Sequence, residues 1–181
     1  MRTAIVRVVV LTPELRRLVA AARTVVRSDR EWSMMNAVPE ASADPDVPGA
    51  PADYVDLLRV VNGGIFGSVV LFGAELVDGM QFSADSVDGA PVVLGRESWF
   101  CFGKVGEDPL FLDRRDGSVW GFPDQGITWW QSDVFERLAA GLGEFLVDQV
   151  FGPGYPALAG VRDDDQWQRL LVECRARFPK G

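Results

Sequence analysis

Histidine does not occur anywhere in this chain. Its absence removes the side chain best suited to proton transfer near neutral pH. With it go the Ser-His-Asp and Cys-His nucleophilic arrangements and the commonest metal ligand. An enzyme built on this sequence would have to work with carboxylates, lysine or tyrosine alone. Cysteine is scarce too: Cys101 and Cys174 are the only two, far apart and in apolar surroundings. They read as small buried hydrophobes in a reducing compartment, not as a disulfide or redox pair. No apolar run approaches the ~20 residues that a membrane helix needs. The opening MRTAIVRVVVL has some leader character, but Arg7 interrupts it and no small-residue cleavage site follows, so a cytoplasmic protein is expected.

Positive charge is in deficit and unevenly placed. Eighteen basic residues face 26 acidic ones, a net charge of −8. Residues 1–32 carry seven arginines against three acids, a net of +4, so the rest holds 11 basic and 23 acidic residues, a net of −12. That balance argues against direct nucleic-acid binding, since phosphate contacts need a basic surface. It suits steering toward a basic partner.

What is present is enough for one domain spanning 1–181. Hydrophobic content of 48% argues against disorder. A chain of this length removes roughly 70% of its extended surface on folding. Ile5, Val6, Val8, Val9 and Val10 suggest an edge strand or a docked arm. Thr12-Pro13-Glu14 then reads as a helix cap, a first-turn proline and a first-turn acid. Leu15, Leu18, Val19, Ala22, Val25 and Val26 follow at helical spacing, with the arginines on a solvated face. Residues 33–50 are proline-, alanine- and acid-rich and read as a mobile, exposed connector.

Pro51 to Gly73 is the most individual stretch. Tyr54, Leu57, Leu58 and Val61 give one helical face. Asn62-Gly63-Gly64 stops the helix, and the apolar run through Phe72 reads as one buried strand closed by Gly73. Asn62-Gly63-Gly64 runs from helix to strand, the reverse of the order a phosphate-cradling loop requires, so a helix stop accounts for it. Val77 to Gly89 is polar and reads mostly as loop, with a strand suggested at Pro91 to Arg96. Ser98 to Val105 is apolar on both faces and reads as a central strand. Glu107-Asp108-Pro109 makes a turn, Leu110 to Asp113 returns, and Asp116-Gly117 is a strong hairpin signal leading to Ser118–Phe122. Ile127 to Trp130 suggests a last strand. Ser132 suggests the cap of a long helix with Phe135, Leu138, Leu142, Phe145 and Val150 buried. Asp163-Asp164-Asp165 suggests the start of a final helix, with Trp167, Leu170, Leu171, Cys174 and Phe178 inward.

The order of these motifs resembles the SUKH superfamily, which groups Smi/Knr-like cell-wall regulators with bacterial immunity proteins. The matching residues are Pro51, Tyr54, Leu57 and Leu58, Asn62-Gly63-Gly64, and Leu71-Phe72-Gly73-Ala74-Glu75-Leu76. Asp113 with Asp116-Gly117-Ser118-Val119 and the Ser132–Phe145 stretch extend the match over roughly 51–150. The resemblance implies an α+β fold: a central antiparallel or mixed sheet of about five to six strands, flanked by N- and C-terminal helices. In that frame residues 1–32 are an arm and helix, 33–50 a connector, 51–150 the family core and 151–181 a C-terminal helix.

The resemblance implies an antitoxin that occludes a toxin domain, for example a basic nuclease or deaminase, without catalysis, cofactor or metal. The eukaryotic branch supplies the alternative, a regulatory adaptor for an endogenous protein. Asp113, Asp116 and Asp124, with Glu107 and Asp108, do not match the spacing of an oxygen-ligand calcium loop and read as solvated hairpin tips. The candidate partner contacts are the acidic loop tips Asp85, Asp88, Glu107 and Asp108. Trp129 or Trp130 is the candidate anchor, because neighbours in one strand cannot both face inward and interfaces enrich tryptophan.

Overall fold

A computed structural model describes residues 12–123, 126–161 and 164–179. The opening apolar arm, Asp124 and Asp163 lie outside the described residues. Thr12 caps the first helix, α1 (Pro13–Ser28), its hydroxyl accepting from the Leu15 N–H at 3.3 Å. Leu15, Val19, Ala22 and Val25 form its buried stripe. A single turn, α2 (Arg30–Ser33), follows, and then α3 (Ala52–Leu58), which buries Tyr54, Leu57 and Leu58.

The expected single strand after α3 is two strands. β1 (Gly64–Phe66) and β2 (Val69–Leu71) form a tight antiparallel hairpin, because Gly67, at φ 64°, reverses the chain where the sequence runs on apolar. α4 (Ala74–Val77) follows Gly73 and runs into a 3-10 segment, Asp78–Ala84, which occupies much of the 77–89 stretch expected as loop. The suggested strand at 91–96 is irregular. Next come β3 (Trp99–Val105), β4 (Asp108–Asp113) and β5 (Val119–Gly121). The β4–β5 turn contains Asp116-Gly117 as expected, but the β3–β4 turn is Gly106-Glu107, with Gly106 at φ 58°, and Asp108 and Pro109 belong to β4.

The region after 126 departs most from expectation. Trp129–Gln131 is a 3-10 turn, not a strand. Ser132 does not start a helix; its hydroxyl accepts from the Val134 N–H at 3.0 Å inside a turn. The strand β6 (Glu136–Ala139) occupies what reads as helix. The physical reason is pairing: β5 would otherwise be an open edge, and β6 bonds to it through Val119↔Ala139 and Trp120↔Arg137. Phe135 accordingly joins an aromatic cluster with Trp99, Trp120 and Phe122 at 4.9–5.4 Å. The helix begins only at α5 (Leu142–Glu144), passes into a π-helical turn Phe145–Val150, and is followed by α6 (Tyr155–Ala159) and α7 (Gln166–Arg177). Asp165 caps α7, accepting from the Gln168 N–H at 3.0 Å. Phe178, expected inward, is exposed.

The six strands lie in sequential order, all antiparallel, with helices from both ends of the chain packed around them: an α+β fold. α1 and α7 contact each other, and Phe66, Phe151 and Trp167 meet edge-on at 5.3–5.6 Å. The connector is anchored, not free. Arg23 of α1 donates to the carbonyls of Val38, Pro39 and Val60. Ala37 pairs with Ile65 of β1 through bonds of 2.8 and 2.9 Å in both directions. Asn36 is buried, accepting from the Gly67 N–H and donating to Gln166. So Arg23, on the face read as solvated, is a tie between α1 and the connector.

Candidate functional site

The motif residues of the organising stretch are structural. The Tyr54 hydroxyl, fully buried, donates to the Phe72 carbonyl at 2.6 Å. The Asn62 carboxamide accepts from the Ala74 N–H at 2.9 Å and donates to Glu75, so it ties the helix stop to the start of α4. Gly63 and Gly64, at φ 73° and 140°, let the chain pass against Gly73 and Ala37, where a Cβ would lie 2.5 Å from a backbone atom in each case. Pro51 stands just before α3 as its cap residue.

Asp113, Asp116 and Gly117 build the β4–β5 turn. The Asp113 carboxylate is buried and accepts from the Arg115 N–H at 2.8 Å and its guanidinium at 2.6 Å. Arg115 thereby holds the Asp113 carboxyl below its ordinary range. Asp116 accepts from the Ser118 N–H at 2.9 Å, and the Ser118 hydroxyl in turn accepts from the Trp120 indole at 2.9 Å. These carboxylates are committed to the turn itself.

Four of the six predicted partner residues share one groove. Glu107, Asp108, Trp129 and Trp130 line one open groove of about 790 Å³. Two short segments wall it: Met80 to Val87, from the 3-10 turn after α4, and Gly126 to Trp130. Phe72, Gly103 and Lys104 line it between them. Gln81 fixes the first wall. Its carboxamide accepts from the Cys101 N–H at 3.1 Å and donates to the Cys101 carbonyl at 2.7 Å. β2 ends at Leu71, whose partner on β3 is Gly103, so Gln81 supplies to Cys101 the two bonds that a neighbouring strand would have made.

Trp129 is half-buried against Phe122 at 5.7 Å, and Trp130 stands edge-on to Trp129 at 5.7 Å. Trp130 is therefore the projecting member of the pair. The groove exposes Phe82 by 59%, Ile127 by 50%, Trp130 by 46% and Val87 by 42%. Sequence reasoning missed Phe82, Val87 and Ile127; the one usable signal was an aromatic residue standing alone in a polar stretch. At the other side of the β3–β4 turn, Glu107 and Asp108 also border a smaller hollow of about 390 Å³.

Asp85 and Asp88 do not line the groove: Asp85 lies within the segment of its first wall and Asp88 directly after it. Asp85 receives a two-pronged bond from Arg96, at 2.5 and 2.7 Å, which holds its carboxyl below the ordinary range. Its charge is matched, while Asp88 is exposed. Glu107 accepts from the Lys104 ammonium at 3.2 and 3.3 Å, yet its side chain remains 91% exposed.

Among the described residues, no group of three or more cysteine, aspartate or glutamate residues is placed to hold a metal ion, and no helix is long and apolar enough to cross a membrane. Compared with known proteins, the chain matches no family model, no curated protein and no solved structure.

Proposed function

We propose that this chain is a non-catalytic immunity protein of the SUKH type, which neutralises a toxin domain by covering it. The observation that carries this reading is the groove, where four large apolar side chains stand exposed beside an outlying carboxylate. Large apolar groups held open at one place, rimmed by polar residues, are characteristic of interaction surfaces; scattered single ones are not. Tryptophan at the centre of such a patch is the residue type that most often dominates binding energy. The chain's net charge of −8 would draw in a basic toxin and raise the association rate.

Titration against the C-terminal domain of a large exported protein encoded beside this gene tests the reading, together with growth rescue of cells expressing that domain. One-to-one nanomolar binding with rescue is expected. An active toxin domain that is neither bound nor neutralised would overturn the reading and favour the adaptor alternative. The association rate should fall at least about tenfold as added salt shortens the screening length from ~10 Å toward ~3 Å. A rate indifferent to salt would remove the electrostatic part.

A further inference from the structure

We infer that Met34 and Met35 are the site at which hydroperoxides modify this protein, each thioether passing to its sulfoxide while the surrounding fold stays intact. The pair lies outside the groove lining, and its chemistry is independent of what the groove binds. Met34 is 73% exposed and Met35 64%. Neither packs on the core. Their backbone, by contrast, is pinned on both sides. Asp29 accepts from the Glu31 N–H at 2.8 Å where α2 begins. Directly after the pair, the buried Asn36 donates to the Trp32 carbonyl at 3.0 Å and to Gln166 at 2.9 Å, and accepts from the Gly67 N–H at 3.0 Å. Two unbranched, polarisable side chains thus project from a fixed turn into solvent. An oxygen added to either sulfur displaces no neighbour.

The step itself is a two-electron oxygen transfer. A sulfur lone pair attacks the distal oxygen of the peroxide and the O–O bond breaks. The proton of that oxygen passes to the leaving oxygen, which departs as water or as an alcohol. Sulfur is oxidised and the hydroperoxide is reduced. Met80 supplies the contrast within the same chain. It is half-buried, packs against the core and lines the groove, so its sulfur is shielded from the same approach. A sulfoxide there would turn an apolar lining polar, whereas at Met34 and Met35 it alters only solvated surface. When peroxide is limiting, the exposed pair consumes it first and spares the groove.

Treatment of the full chain with hydrogen peroxide at neutral pH, followed by peptide mass mapping, tests this. Met34 and Met35 should each gain one oxygen at least about tenfold faster than Met80. The oxidised protein should unfold in urea within about 0.3 M of the untreated midpoint, and methionine sulfoxide reductase should restore the original mass. With substoichiometric peroxide, Met34→Leu combined with Met35→Leu should raise the sulfoxide yield at Met80 at least about threefold. Comparable rates at Met80, a larger fall in the midpoint, or a Met80 yield indifferent to the double substitution would each overturn the inference.

Discussion

Two glycines with the same backbone conformation provide a controlled test of why the helix stop is built as it is. Gly49 and Gly63 both have φ 73°. A Cβ added at Gly49 meets nothing within 4 Å. The same atom at Gly63 would lie 2.5 Å from the Gly73 nitrogen and 2.8 Å from both the Gly73 Cα and the Leu71 carbonyl oxygen. Gly49→Ala therefore carries only the left-handed penalty of an L-residue, about 1–2 kcal/mol, partly offset by about 0.4–1 kcal/mol from a stiffer unfolded chain. Gly63→Ala carries the same penalty plus an overlap with backbone that has no rotamer to yield, adding about 1–3 kcal/mol.

Moving Gly73 away also strains its neighbours, the Tyr54–Phe72 and Asn62–Ala74 bonds, at about 1 kcal/mol each. The expected losses are thus about 1 kcal/mol for Gly49→Ala and about 3–5 kcal/mol for Gly63→Ala. With a urea slope of about 2 kcal/mol per molar, the midpoints should fall by about 0.5 M and about 2 M, at unchanged slope. Midpoints within about 0.3 M of one another would show that the close crossing at Gly63 is not what the motif protects.

Three further outcomes are expected. Gln81→Leu should destabilise by about 2–4 kcal/mol in urea unfolding, because it strands the buried N–H and C=O of Cys101; a loss below about 0.5 kcal/mol would refute that role. Asp113 is held below its ordinary carboxyl range by the side-chain bond from Arg115, so it binds its proton more readily unfolded than folded. Its contribution is present above its ordinary value of 3.8 and lost as pH falls through the lowered folded value. The stability gap between wild type and Asp113→Asn should therefore be constant near neutral pH and narrow on acidification, as measured by denaturant unfolding from about pH 6 to about pH 3; a gap that widens would contradict it. Finally, burial pushes the thiols of Cys101 and Cys174 up to about 12 and about 11. A thiolate-selective disulfide reagent at about pH 8 should label neither until the chain unfolds; rapid labelling of the native protein would refute their burial.

The parts of the fold legible in the sequence are those specified by local signals. Thr12-Pro13 and Asp165 start their helices, Asn62-Gly63-Gly64 stops one, Asp116-Gly117 turns a hairpin, and the doubly apolar run 98–105 is a central strand. What was not legible is specified by distant partners. Glu136–Ala139 has helical composition, and only the unpaired edge of β5 makes it a strand. The connector has no periodicity, yet Arg23, 15 and 16 residues before the Val38 and Pro39 carbonyls, pins it. The groove was half legible. Trp130 and Glu107 stood out as residue types, but Phe82 and Ile127 are brought opposite each other by a 3-10 turn that Gln81 fixes to β3.

The pairing of Ala37 with Ile65 has a consequence for the life of the molecule in a crowded solution. Among the described residues β1 ends the sheet, and an end strand with open amide and carbonyl groups is a template on which a neighbouring molecule can lay a strand of its own. Here the bonds at the middle of that edge are already taken by Ala37, and Pro39, two residues on, has no N–H to offer an incoming chain. A segment with almost no regular structure thus serves as a selvedge, sealing the sheet against fibre-like growth from that side.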